Sequence, residues 1–361
     1  MSLARAVKQR KRRSKKLGMA PGTLVHVGEV KIQKPAVTLI EYSQEGLEER
    51  ALDPAELAGY KKPIDSKLWL NVHGVHDPQL IADIGQEFGL HPLVLEDILN
   101  TDQRPKVDAY DDYLYIVTRS FFHDKEQDVL GSEQISLVLR ENFVLTFQER
   151  PTGAFEPVRE RLRKGRSHIR ESGTDYLAYA LLDVIVDHYF IVLEQIGDDS
   201  ETLEDILLRK PTTPTLHKIH RLKRESMELR RSVWPFREVL NSLVRNEHRF
   251  FADNTLLYLR DVYDHTVHFI ESLEAIRDLL GGMLDIYLSS LSNRVNMELR
   301  ALTVVAMLFM PATLIASIFG MNFESMPWIH HPNGFWWAVS IMAGVALSMG
   351  LLFWHRQWLS R

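Results

Sequence analysis

The chain contains no cysteine. Disulfides and thiolate metal sites are therefore excluded, and the absence fits a reducing cytosol. No G-x-x-x-x-G-K-S/T phosphate loop occurs, so nothing points to an ATP-driven pump. No H-E-x-x-H pair occurs either. His217/His220 and His265/His268 are spaced by three on expected helices, and His330-His331 falls in a loop. Exposed pairs of this kind do not by themselves make a zinc site. No nucleophile, base and orienting acid stand in a recognisable pattern, so an enzyme is not expected. Acidic residues are missing from the first sixteen positions, which hold Arg5, Lys8, Arg10, Lys11, Arg12, Arg13, Lys15 and Lys16. The whole chain has a net charge of −5, so removing these eight cations leaves −13 on the rest. The basic block reads as a solvated, disordered tail over 1–19, with anionic lipid as the lesser alternative and no nucleic-acid partner. No apolar segment of 7–15 residues follows it, so a signal peptide is not expected.

What the chain has in excess is apolar sequence near its C-terminal end. Two uncharged runs, 301–323 and 335–354, are each about long enough to cross a ~30 Å hydrocarbon core as a helix. They predict two transmembrane helices, 301–323 and 335–355, joined by an external loop 324–334 and followed by a short tail, 356–361. The loop holds no Lys or Arg, whereas Arg294, Arg300, Arg356 and Arg361 flank the other ends. The positive-inside rule then puts both termini in the cytoplasm, in a cell inner or plasma membrane. Trp328, Trp336 and Trp337 mark the outer interface, and Trp354 and Trp358 the inner one.

The preceding 300 or so residues read as water-soluble. Strands are expected at 23–27, 37–42, 68–72, 113–119, 133–140 and 143–148, the last two joined across Glu141-Asn142. Asp77 caps a helix that begins with Pro78 and stops at Gly89. His91-Pro92 opens a second, shorter helix that carries Glu96 and Asp97. These elements predict an α/β cytosolic domain over 20–170. An antiparallel helical hairpin follows over 171–250, broken at Pro211-Thr212-Thr213-Pro214 and bent at Pro235. Leu177, Leu181, Val184, Ile185, Val192 and Ile196 form its core stripe, with His188 filling a gap as a core residue. Glu194, Asp198, Asp199, Glu201, Glu204 and Asp205 read as a solvated face.

A stalk helix, 251–300, starts at a cap supplied by Asp253 or Asn254 and runs into the first span. No proline interrupts it before Pro311. At 1.5 Å per residue, about 65 residues extend roughly 100 Å. Asp285, Leu288, Ser292, Asn296, Leu299, Ala306, Met310, Thr313, Ser317 and Gly320 recur mostly at spacings of three and four, with Leu302 beside them. That is one helix face. It fits either a coiled-coil seam with small residues packed in the membrane or the lining of a pore. Pro311 frees a carbonyl that needs another partner, which favours the pore. Two spans cannot enclose a pore alone, so a pore requires an oligomer.

Gly320-Met321-Asn322, followed by Phe323 and a second span, resembles the CorA family of divalent-cation channels. Met310-Pro311, Tyr287-Leu288-Ser289-Ser290, Arg104-Pro105-Lys106-Val107 and Asp261-Val262-Tyr263-Asp264-His265 resemble it too. The likeness covers nearly the whole chain apart from the basic tail. It implies a homopentamer with an α/β/α sandwich in the cytosol, a long stalk helix and a pore lined by the first span. This chain has Phe319 where the family often has Tyr, and only Arg356 and Arg361 where it is often lysine-rich.

Under that resemblance Gly320, Met321 and Asn322 form the selectivity motif. Mg²⁺ gives up water reluctantly, so a ring of Asn322 amide oxygens suits recognition of the hydrated ion. Neutral acceptors also hold it weakly enough to let it leave. Asp285, Asn296, Leu299, Leu302, Met310, Thr313 and Ser317 line the pore, with the leucines and Met310 as apolar constrictions that gate by dewetting. Glu96, Asp97, Asp183 and Asp261 are implied to bind regulatory Mg²⁺ at the subunit interface. The expected function is passive Mg²⁺ transport gated by cytosolic Mg²⁺, with Co²⁺ or Ni²⁺ as further substrates. The alternatives are a zinc, cobalt or nickel transporter of the same family, or a membrane-tethered metal sensor without transport.

Overall fold

The computed structural model describes residues 18–57, 60, 66–124, 129–165, 168–245, 247, 250–321, 324, 326–328 and 331–355. Asn322, Phe323, His330, Arg356, Trp358, Arg361 and most of the basic tail lie outside them. The chain divides into two compact units. One comprises Met1–Asp205 and His217–Gly281, the other Ile206–Leu216 and Gly282–Arg361.

The first unit is built on a seven-stranded sheet. Its strands are β1 (Ala36–Tyr42), β2 (Leu47–Leu52), β3 (Lys67–His73), β4 (Lys106–Ala109), β5 (Leu114–Asp124), β6 (Val129–Arg140) and β7 (Phe143–Gln148). The order is β2-β1-β3-β7-β6-β5-β4. All neighbours are antiparallel except β3 and β7, which run parallel with Leu68 opposite Phe143. The expected strand at 23–27 does not form; only Val27 makes an isolated bridge, to Asn100.

Alternation along the strands sends side chains to two faces, and both are covered. On one face, Leu39, Leu70, Val72, Leu145 and Phe147 pack against α1 (Pro78–Phe88) and α2 (Pro92–Leu99). Asp77 accepts from the backbone N–H groups of Gln79 and Leu80, and Gly89 closes α1 in the left-handed region at φ 67°. His91 caps α2 by accepting from the Leu93 N–H. On the other face, the Trp69 ring meets Phe155 just before α3 (Glu156–Arg163), and its indole N–H donates to Thr146 Oγ1 at 2.9 Å. The sheet is thus the middle layer of an α/β/α arrangement.

A one-turn helix α4 (His168–Glu171) leads into α5 (Thr174–Arg209), α6 (Thr213–Arg245) and α7 (Asp253–Phe319). Within the first unit, Tyr189 of α5 meets Phe236 of α6 and Phe269 of α7. Its hydroxyl donates to the Arg119 carbonyl on β5 at 2.5 Å, which ties the helices to the sheet. The stripe residues Leu177, Leu181, Val184, Ile185, Val192 and Ile196 are buried. His188 is half-buried, and burial lowers its pKa.

The start of α7 differs from expectation. Neither Asp253 nor Asn254 supplies the cap. Asp175 of α5 instead accepts from the Ala252 backbone N–H at 3.0 Å and from the Thr255 hydroxyl at 2.6 Å. A carboxylate at a helix start meets both the orphan N–H groups and the positive end of the helix dipole.

In the second unit, α7 continues from Gly282 through Pro311 to Phe319, and α8 spans Gly334–His355. Both are long and apolar enough to cross a membrane, with few side chains buried in the single chain. Helix α5 also meets that length and composition, but most of its apolar window is buried.

Candidate functional site

The face of α7 picked out by periodicity is bare. Asp285, Asn296, Leu299, Leu302, Met310, Thr313 and Ser317 are all exposed, with Leu302 and Met310 at 67% and 68%. Large apolar side chains this open need lipid or another protein copy against them. The Thr303 and Thr313 hydroxyls donate back to the Leu299 and Phe309 carbonyls at 2.8 and 2.9 Å. These bonds satisfy the hydroxyls within the helix itself. Pro311 lacks an N–H, so the Met307 carbonyl has no helical donor.

The helix ends in a tightened turn. The Gly320 N–H donates to the Ala316 carbonyl at 2.9 Å, and the Met321 N–H to the Ile318 carbonyl at 3.2 Å. Met321 is 50% exposed. Asn322, the expected selectivity residue, lies outside the described residues. The turn into α8 is organised around Trp328, which has φ 71°. Its carbonyl accepts from the His331 N–H at 3.1 Å, and a Cβ at Gly334 would collide with it. The His331 ring stacks on Trp337 with centroids 5.0 Å apart.

The four acidic candidates fall into separate groups within one chain. Asp97 of α2 is the most engaged. Lys106 Nζ lies 2.7 Å from its Oδ2, and the Gln103 amide donates to its Oδ1. Lys106 also lies 2.5 Å from Asp108 Oδ2. Burial disfavours the Lys106 charge, but its hydrogen bonds to Asp108 and Asp97 outweigh that and raise its pKa overall. Neighbouring Glu96 accepts the Gly22 backbone N–H at 2.6 Å.

Asp183 of α5 and Asp261 of α7 make the second group. Asp183 has its pKa raised to about 6, chiefly by burial and then by the charge of Asp187; Arg161 and His265 oppose this and Asp261 adds to it. Arg161 Nη1 lies 4.0 Å from Asp183, and His265 Nε2 lies 3.8 Å from Asp261, which is 67% exposed. Crowded carboxylates in this state are relieved by a cation, and an all-oxygen donor set suits Mg²⁺. Among the described residues, however, no group of three or more His, Asp or Glu is gathered closely enough to hold a metal within one chain. Sequence reading missed Gln103, Lys106 and Arg161 as partners of these acids. Lys106 stands in the Arg104-Pro105-Lys106-Val107 motif, but its contact with Asp97 depends on the tertiary fold.

Comparison with known proteins places this architecture. The family model for CorA-like Mg²⁺ transporter proteins matches residues 65–357. The chain is 42% identical over 351 residues to the cobalt/magnesium transport protein CorA of Thermotoga maritima, covering 97% of this chain and all of that one. It is 32% identical over 292 residues to the putative metal ion transporter YfjQ of Bacillus subtilis, covering 80% and 89%. The complete structure of the CorA magnesium transporter from Methanocaldococcus jannaschii shares the fold, with TM-score 0.77 and 22% identity over 89% of this chain and 98% of that one. The family match, on a fold of an α/β unit, long helices and C-terminal membrane-capable helices, makes this a membrane transport protein and not an enzyme. The chain belongs to the CorA-like family of Mg²⁺ transporter proteins.

Proposed function

We propose that this protein is a passive divalent-cation channel that takes Mg²⁺ as its principal substrate and assembles as a homopentamer. The observation that carries the reading is the exposure of α7, open on nearly all sides from Leu291 to Met310, together with the polar side chains that recur along one of its faces. Seven side chains from Asp285 to Ser317 stand exposed along it, and it ends at Gly320 and Met321, immediately before Asn322. Copies arranged around an axis cover such a face and enclose a path between them. A single chain with two spans cannot. The number five rests on family likeness.

In this assembly 301–323 and 335–355 span the membrane, and both termini are cytoplasmic. The soluble part comprises 20–170, 171–250 and the stalk 251–300, preceded by the tail 1–19. The Gly320-Met321-Asn322 motif recognises the hydrated ion at the outer mouth through neutral amide oxygens. Leu299, Leu302 and Met310 form the apolar gate, with Asp285 and Asn296 on the cytosolic side and Thr313 and Ser317 towards the mouth. Glu96, Asp97, Asp183 and Asp261 hold regulatory Mg²⁺ between neighbouring subunits and stabilise the closed state by binding it preferentially. The Thermotoga relative is named for cobalt as well as magnesium, which supports Co²⁺ as a second substrate; Ni²⁺ is close in chemistry.

Uptake of Mg²⁺, Co²⁺, Ni²⁺ and Zn²⁺ into proteoliposomes tests the reading. Saturable Mg²⁺ uptake is expected, with Co²⁺ or Ni²⁺ competing. Uptake of Zn²⁺ alone makes the protein a zinc transporter. No uptake of any ion by intact oligomer makes it a tethered sensor.

A further inference from the structure

A cation already stands at the proposed sensor carboxylate. Lys106 Nζ is 2.7 Å from Asp97 Oδ2 and 2.5 Å from Asp108 Oδ2, and lies 5.7 Å from the centre of the Tyr115 ring. Lys106 and Asp108 are two apart on β4, so they share one face of that strand. Asp97 reaches the same spot from α2 and is held there from its other side. The Gln103 amide donates to its Oδ1, and the Gln134 amide donates to its carbonyl at 3.2 Å. The Gln103 N–H in turn donates to Gln134 Oε1 at 3.1 Å. Both Asp97 oxygens are therefore taken, one by a neutral amide and one by an ammonium. The Lys106 and Asp97 side chains remain 34% and 21% exposed, so the ammonium has room to move.

We infer that Lys106 is an internal competitor for the metal at Asp97 and sets the Mg²⁺ concentration to which the sensor responds. The inference rests on the reading of Asp97 as a sensor ligand. Mg²⁺ and the ammonium seek the same oxygen, and two cations cannot share it at contact distance without strong repulsion. Metal binding displaces Lys106 from Asp97, but not into bulk water. Asp108 and the Tyr115 face keep it, which lowers the cost of the exchange. Without metal, Lys106 neutralises Asp97 and limits its repulsion of other carboxylates brought to it by a neighbouring subunit. The sensor is thus tuned to a higher Mg²⁺ concentration than bare carboxylates would give. Gln103 is a positioning residue that fixes the carboxylate for either cation.

The test uses the full-length protein carrying Lys106→Met, Lys106→Arg, Asp97→Asn, or Lys106→Met with Asp97→Asn. Two readings are taken against internal Mg²⁺: channel inhibition in bilayers, and thermal stabilisation of the solubilised oligomer. Lys106→Met is expected to move both midpoints to lower Mg²⁺ by about tenfold, equivalent to ~1.4 kcal/mol. Lys106→Arg keeps the charge and should follow the parent. Asp97→Asn should move both midpoints to higher Mg²⁺ and abolish the further effect of Lys106→Met, as expected for directly coupled residues. If Asp97→Asn shifts the midpoints but Lys106→Met leaves them in place or raises them, the competitor role is overturned and the sensor stands. If Asp97→Asn itself leaves them in place, the sensor reading fails and the competitor role with it.

Discussion

Asp175 grips the start of the longest helix through Thr255, whose hydroxyl donates to the Asp175 carboxylate at 2.6 Å. The same oxygen takes the Ala252 N–H, and both Asp175 and Thr255 are buried. Lys67 donates to the Arg170 carbonyl at 3.4 Å and also to the Ser172 carbonyl, close enough to Asp175 for its ammonium to feel that charge. Asp175→Ala leaves the Ala252 N–H and Thr255 hydroxyl without their acceptor. A loss of roughly 1–3 kcal/mol is expected, read as a fall in thermal midpoint, with Asp175→Asn losing less because an amide oxygen can still accept. An unchanged midpoint for Asp175→Ala would remove this clamp from the account.

A buried acid gives the first unit a pH dependence. Glu133 is fully buried on β6, and burial raises its pKa from 4.5 to about 7 despite the Thr152 hydroxyl donating to it at 3.0 Å. The folded state holds this proton at pH values where the unfolded chain has released it. The contribution is therefore full below about pH 4.5 and is lost as pH rises through about 7. Glu133→Gln keeps a neutral group and removes the dependence. Between pH 5 and 8 the parent should lose on the order of 3 kcal/mol relative to this variant. Thermal midpoints of the two proteins across that range check it, and parallel curves would place the titration elsewhere.

Gating tests the acidic groups directly. Asp261→Lys puts a fixed cation where a shared metal would sit, so the channel should resist opening when internal Mg²⁺ is low. Asp97→Ala should instead shift inhibition to higher internal Mg²⁺. Current against internal Mg²⁺ for both variants separates these effects. Two curves that overlay the parent would make the site structural and direct attention to the acidic residues near Glu201 and Asp205.

Much of the fold was legible because its signals are local. Asp77-Pro78 and Gly89 bound α1 as their capping chemistry dictates, and the Glu141-Asn142 turn joins β6 to β7. Strands β2 and β4 were missed for physical reasons. Leu47–Leu52 is a charged edge strand without clean alternation, and Lys106–Ala109 is only four residues long. The α7 cap was misassigned because its acceptor comes from Asp175, far away in sequence. The α7 stripe was visible as periodicity, and the structure adds that it is uncovered in the single chain. Glu133 lies in a strand buried on both faces, which its polar neighbours Ser132 and Gln134 do not announce, and the Asp97–Lys106 contact joins a helix to an edge strand. Neither could be read before folding.

On the proposed reading, ions pass through a mouth built from the Gly320-Met321-Asn322 motif. The most direct measurement is Mg²⁺ uptake into proteoliposomes by Asn322→Ala protein whose native mass matches the parent oligomer. Uptake is expected to fall at least tenfold, because the alanine side chain offers no acceptor to the waters around the ion. Near-parent uptake by the correctly assembled variant would contradict it.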